Sequence, residues 1–133
     1  EVSCIFVTHD VSDAYGMADH LAVMRKGKIL QLDAPHKVYQ QPMNQYVAEI
    51  TGDVNIVSNE WLASVGLTSQ TNTFIRPEQI TVSTSSALKA KIVSVKFLGS
   101  YYEVMLKAEG QELRMFSFEA LKTGDEIGIE IRQ

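Results

Sequence analysis

The chain has 133 residues, 45% hydrophobic and 21% charged, with a formal net charge of −4, which suits one compact domain, or one small domain with an appended piece. Its apolar runs of four to six residues fall well short of the roughly 20 needed to cross a bilayer. Mild acidity argues against non-specific nucleic-acid binding, which needs clustered positive charge, and a single cysteine, Cys4, excludes an internal disulfide framework and fits a reducing compartment.

The sequence opens Glu1-Val2-Ser3-Cys4-Ile5-Phe6-Val7 without Met and without a charged-then-apolar leader. The apolar, β-branched run from Val2 to Val7 reads as a strand covered on both faces, with Cys4 a core thiol. A chain starting inside such a strand is expected to be the tail of something larger. Asp10 is a plausible N-cap, with Asp13 three residues on as a short-armed capping box. The helix after it sets Val11, Ala14, Tyr15 and Ala18 on one apolar face. Two strands, Leu21 to Met24 and Lys28 to Gln31, flank the tight turn Arg25-Lys26-Gly27. Pro35 opens a short helix through about Gln41 that Pro42 stops, and a last short helix runs from Asn44 to Ile50 with Gly52 past its end.

The sequence divides near Gly52-Asp53, giving residues 1–52 and 53–133. All three histidines and all three expected helices precede that point, while each side carries two more acids than bases. Beyond it, Thr73-Phe74-Ile75 leads to a turn at Arg76-Pro77-Glu78, and Ile80-Thr81-Val82 resumes extended structure. Lys91 to Leu98 reads as a long strand. From Tyr101 the apolar residues alternate, with Tyr102, Val104, Leu106 and Ala108 on one face. Glu109-Gly110 turns the chain into Glu112 to Phe118, and Thr123-Gly124-Asp125 turns it into Ile127, Ile129 and Ile131. Short strands at this spacing predict a mainly β fold, a small barrel or sandwich and most economically an OB-like barrel of about five strands, behind an α/β piece. Between residues 56 and 72, Trp61 and its polar neighbours follow no readable pattern.

His9 is the sharpest candidate for chemistry. It stands at the C-terminal edge of the expected buried strand, where open α/β sheets bind ligands. An imidazole there can donate to a phosphate oxygen or hold an attacking water, or it can simply cap backbone groups. A metal site is not expected: Asp10, Asp13, Asp19 and His20 lack ligand spacing, and no second His falls four residues from the first. Gly27-Lys28 lacks the upstream glycine and the following Ser or Thr of a phosphate-cradling loop. The aromatics Phe97, Tyr101, Tyr102, Phe116 and Phe118 alternate with Lys96, Lys107 and Arg114, which on a barrel could stack single-stranded nucleic acid. Interleaved Glu103, Glu112 and Glu119 oppose that, and the rings are expected to fill the barrel.

Taken in order, these motifs resemble a known family. Phe6-Val7-Thr8-His9-Asp10 is similar to the H-loop, or switch region, of ABC transporter ATPases, followed by a helix with Ala18-Asp19. The hairpin bearing Met24, Gly27, Ile29 and Gln31, the segment with Pro35, Val38, Tyr39 and Pro42, and the run Val47-Ala48 to Gly52-x-x-Asn55 continue the resemblance through residue 55. The remainder resembles the TOBE-type, OB-like C-terminal regulatory domain of importer ATPases: Ile75-Arg76-Pro77-Glu78, Val95-x-Phe97-Leu98-Gly99-Ser100 and Gly124-Asp125 carry it. His20 stands where the family has Arg, and Asp33 where it often has Gly.

The resemblance implies a parent that binds ATP and Mg²⁺ between two copies of itself and hydrolyses the nucleotide to drive import through a transmembrane permease. That parent would be cytoplasmic and peripheral on the inner face of a bacterial-type plasma membrane. His9 would be its switch histidine, contacting the γ-phosphate, a positional and electrostatic role. The phosphate loop, Gln loop, signature and catalytic Glu do not occur in these residues and are expected upstream of Glu1. This chain alone is therefore expected to hold no nucleotide cofactor and to hydrolyse none. A small oxyanion-binding TOBE module and an OB-type nucleic-acid binder stand as alternatives. Iron, polyamines, sugars and oxyanions all remain open as the imported solute. Residues 1–10, without strand neighbours, are expected either to disorder or to pair with another copy.

Overall fold

In the computed structural model, which describes residues 1–68 and 72–132, the chain forms two units, Glu1–Asp53 and Val54–Gln133. The first unit begins without regular structure. Val2, Ile5 and Val7 are 93%, 95% and 93% exposed, and the strand expected from Val2 to Val7 does not form. A strand needs neighbours to take its backbone N–H and C=O groups, and no described strand pairs with this segment. Cys4 is accordingly exposed rather than a core thiol.

Helix α1 (Val11–Met17) starts where Asp10 caps it and turns Ala14 inward. Tyr15, on the same face, donates its hydroxyl to the Thr51 carbonyl and sets its ring edge-on to Tyr39 at 5.9 Å. Strands β1 (Leu21–Arg25) and β2 (Lys28–Asp33) form the hairpin. Its turn is two residues, Lys26 and Gly27, both left-handed with φ 51° and 76°. That pair of angles matches the right-handed twist of the strands it joins. Helix α2 (Pro35–Gln40) has Pro at its start, where a missing N–H costs nothing. The Gln31 side chain then staples the chain around Pro42, donating to the Gln41 carbonyl at 3.1 Å and accepting from the Met43 N–H at 2.8 Å. Helix α3 (Gln45–Thr51) is capped by Asn44, whose side chain accepts from Val47 N–H at 2.9 Å. Val23, Val38 and Val47 close a small core against Leu21, Leu30 and Tyr46.

The second unit is the OB-like barrel. It comprises β3 (Asn55–Ile56), α4 (Asn59–Ser64), β4 (Phe74–Ile75), a 3₁₀ turn (Pro77–Gln79), β5 (Ile80–Val82), β6 (Lys89–Phe97), β7 (Tyr102–Ala108), β8 (Gln111–Ser117) and β9 (Glu126–Ile131). The last five strands make one antiparallel sheet in the order β5-β9-β6-β7-β8. Strand β8 packs back against β5 and the 3₁₀ turn, so the sheet curls. The alternation read from Tyr102 onward holds: Val104, Leu106 and Ala108 point into the core with Ile75, Ile80, Ile92, Leu113, Met115 and Ile129.

Three features differ from the sequence reading. Helix α4 was not expected in this part. Ser58 caps it by accepting from Trp61 N–H at 3.0 Å, and Trp61 is buried with its indole N–H donating to the Ala108 carbonyl at 3.0 Å. Second, the barrel core is aliphatic apart from Trp61. Phe97 and Phe118 are 65% and 88% exposed, because their strands end beside them and leave them outside the sheet's inner face. Third, Asn55 clamps the edge strand. Its side-chain N–H donates to the Arg114 carbonyl at 2.8 Å and its oxygen accepts from the Arg114 N–H at 2.6 Å. One primary amide thus stands in for a peptide unit on the outer edge of β8.

Candidate functional site

His9 sits on the turn between the exposed N-terminal segment and α1, itself exposed. The turn around it is held by short polar side chains. The Asp10 N–H donates to Thr8 Oγ1 at 3.0 Å, and the Asp10 carboxylate accepts from Ser12 N–H at 3.0 Å and Ser12 Oγ at 2.6 Å. Thr8 Oγ1 also lies 3.3 Å from Asp13 Oδ2. The N-cap read at Asp10 is therefore present, but the Asp10 N–H donates to Thr8 Oγ1 rather than to Asp13, whose carboxylate meets Thr8 instead. The hydroxyl and backbone N–H of Ser12 hold the Asp10 carboxyl below the usual carboxylate range.

Both neighbouring carboxylates, Asp10 and Asp13, are thus engaged within the turn that carries His9. The imidazole makes no hydrogen bond or ion pair with any described residue. Such a group is free to donate to a phosphate oxygen presented from outside. Among the described residues no three His, Cys, Asp or Glu side chains converge on one point, and Asp19 and His20 are likewise exposed beyond α1.

On the barrel, the aromatic set pairs with itself. Phe97 meets Tyr102 at 5.2 Å between ring centroids, and Tyr101 meets Phe116 at 4.8 Å. Glu103 faces Arg114 at 3.6 Å beside them, so this face combines opposite charges with rings already in contact. Asn55 and Trp61 carry structural weight that sequence reasoning assigned to neither. Only Asn55 had a signal, its place at the end of the Gly52-x-x-Asn55 run.

With this geometry in view, comparison with known proteins is informative. Residues 73–133 match the TOBE domain family. The chain is 34% identical to the "Fe(3+) ions import ATP-binding protein FbpC 1" of Pectobacterium atrosepticum, over 84% of this chain and 37% of that protein. It is 30% identical to the "Spermidine/putrescine import ATP-binding protein PotA" of Clostridioides difficile, over 98% of this chain and 43% of that protein. A second ferric-ion relative, FbpC 2 of Rhodococcus jostii, is 30% identical over 98% of this chain and 44% of its own length. The chain spans about two fifths of the length of the curated relatives it matches.

Proposed function

We propose, from the premise that this chain belongs with the ATP-binding subunits of ABC importers and carries their TOBE domain at residues 73–133, that it serves as the regulatory and dimer-forming part of such a subunit. What supports this reading is the occurrence, in one chain, of a turn at Thr8-His9-Asp10 that resembles an H-loop and of an OB-like barrel.

In that role the whole protein binds ATP and Mg²⁺ between two copies and hydrolyses the nucleotide to move solute through a permease. The nucleotide supplies the phosphoryl group and the driving free energy. This chain's contribution to that chemistry is His9. The polar turn fixes its backbone, and its ring N–H is available to a γ-phosphate oxygen. A donor fixed before the reaction stabilises developing charge without reorganisation. The acidic side chains of the turn accept from Thr8 and Ser12, and no Mg²⁺ ligand is assigned to them. The subunit lies at the cytoplasmic face of the membrane against its permease; none of the helices in the described residues is long and apolar enough to cross a bilayer.

The test is a transplant. Residues 1–133 replace the matching segment of a ferric-ion or polyamine import ATPase, and solute uptake is measured in membrane vesicles. Uptake within about tenfold of the parent is expected. A stable, membrane-associated chimera with no uptake would refute the assignment.

A further inference from the structure

His9 lies between a segment without regular structure and the start of α1 at Val11. Among the described residues, no backbone–backbone hydrogen bond joins residues 1–9 to the rest of the chain. The hydrogen bonds that do join them all pass through one atom, the hydroxyl oxygen of Thr8. It accepts from the Asp10 N–H at 3.0 Å, and the Asp10 carbonyl and the Asp13 carboxylate each lie 3.3 Å away.

A hydroxyl has one proton to donate and two lone pairs. Either of those oxygens can take the proton, and a lone pair remains for the Asp10 N–H. This contact closes a ring from the Thr8 side chain to the backbone two residues on, and His9 is the residue enclosed. Such a ring is the side-chain counterpart of a backbone turn, and it limits the φ and ψ that His9 can take. Asp10 is in turn tied to α1: its carboxylate accepts from Ser12 N–H and Ser12 Oγ, and its carbonyl from Asp13 N–H at 3.2 Å. Branching at the Thr8 Cβ helps, because it restricts χ1 before any bond is made.

We propose that Thr8 is a positioning residue for His9: its hydroxyl holds the backbone that carries the imidazole, so that the ring N–H is offered to a phosphoryl oxygen from one geometry rather than many. This rests on the reading of His9 as the residue that meets the γ-phosphate. Thr8 itself touches no substrate. A donor that must be aligned during the reaction loses rate, more than affinity, when its backbone is freed.

Two measurements test this. In the full ¹⁵N-labelled chain, amide exchange at Asp10 is compared with that in Thr8→Val, which keeps the shape and removes the hydroxyl. Exchange about fivefold or more faster in the variant is expected; an equal rate would overturn the turn itself. In the transplanted import ATPase, ATP turnover is measured for Thr8→Val, Thr8→Ser, His9→Ala and Thr8→Val/His9→Ala. Thr8→Val is expected to lower kcat about tenfold with KM within about twofold. Thr8→Ser keeps the oxygen and is expected to stay within about threefold of the parent chimera. In the His9→Ala background, Thr8→Val should add nothing, because it acts through the imidazole. A loss that persists without the imidazole, or an equal loss in Thr8→Ser, would make Thr8 a merely structural residue and overturn the inference. If His9→Ala lowers turnover and Thr8→Val does not, the inference alone fails; if His9→Ala changes nothing, the reading of His9 fails and the inference with it.

Discussion

Replacing Asn55 by alanine removes both hydrogen bonds from the Arg114 peptide, at 2.6 and 2.8 Å, and leaves that N–H and C=O without their partner on the edge of β8. Asn55 is 7% exposed, so water has little access to its side of the contact. A buried backbone group left unsatisfied costs about 1–3 kcal/mol. Arg114 is itself half-buried, which puts each group at the lower end and the pair at about 2–3 kcal/mol. For a unit of about 80 residues this lowers Tm by roughly 10–20 °C. Urea unfolding followed by fluorescence of Trp61, the sole tryptophan, reads the barrel directly. Asn55→Leu keeps the volume but not the amide and is expected to lose a similar amount. If leucine restores wild-type stability, or alanine costs less than about 0.5 kcal/mol, the clamp contributes packing rather than hydrogen bonds and the reasoning fails.

Three further outcomes follow from local geometry. A Cβ at Gly128 would stand 2.2 Å from the Ser83 carbonyl oxygen, a backbone clash, so Gly128→Ala should cost about 1–3 kcal/mol by thermal unfolding; a neutral substitution would show that the β5–β9 edge yields freely. The Asp10 carboxyl is held below its ordinary value by Ser12, so its contribution to α1 is present above the unfolded-state pKa and lost as pH falls through the lowered folded-state value. Carboxyl NMR should show a midpoint below 3.8 that Ser12→Ala moves back up, and a midpoint indifferent to Ser12 would contradict this. Cys4 is exposed on an unpaired segment and should react with a thiol reagent in the native protein within about tenfold of its rate in urea; protection beyond that would mean residues 1–10 are covered, by another copy or otherwise.

What the sequence makes legible here is local. The left-handed turns at Lys26-Gly27 and Glu109-Gly110, the cap at Asp10 and the alternation through Val104, Leu106 and Ala108 each follow from neighbouring residues, and each is present. Helix α4 escaped notice because six residues hold too few turns to show a period, and its anchor, Trp61 on Ala108, spans 47 positions. The same holds for Asn55 on Arg114 and for Lys91 beside Lys107: partners set by strand register cannot be read from spacing along the chain. The aromatics misled in another way. Their alternation with charged residues is real, yet at strand ends a side chain lies outside the inner face, as Phe97 and Phe118 do.

Val2 to Val7 shows the opposite case, a strong local signal without its tertiary complement. Apolar and β-branched, it has the composition of a buried strand, but no described strand takes up its backbone. His9, at the far end of that segment, lies in a turn held by Thr8, Asp10 and Ser12, of which the sequence offered the Asp10 cap.

The central claim is therefore tested most directly on His9. In the transplanted import ATPase, ATP turnover is measured for the chimera and for its His9→Ala variant at equal folding and nucleotide affinity. Loss of one preorganised donor to a transferring phosphoryl group predicts a fall of roughly 10²–10³-fold in kcat. Turnover unchanged by His9→Ala would show that this turn is not a switch region, and the account of the chain as part of an importer ATPase would lose its chemical basis.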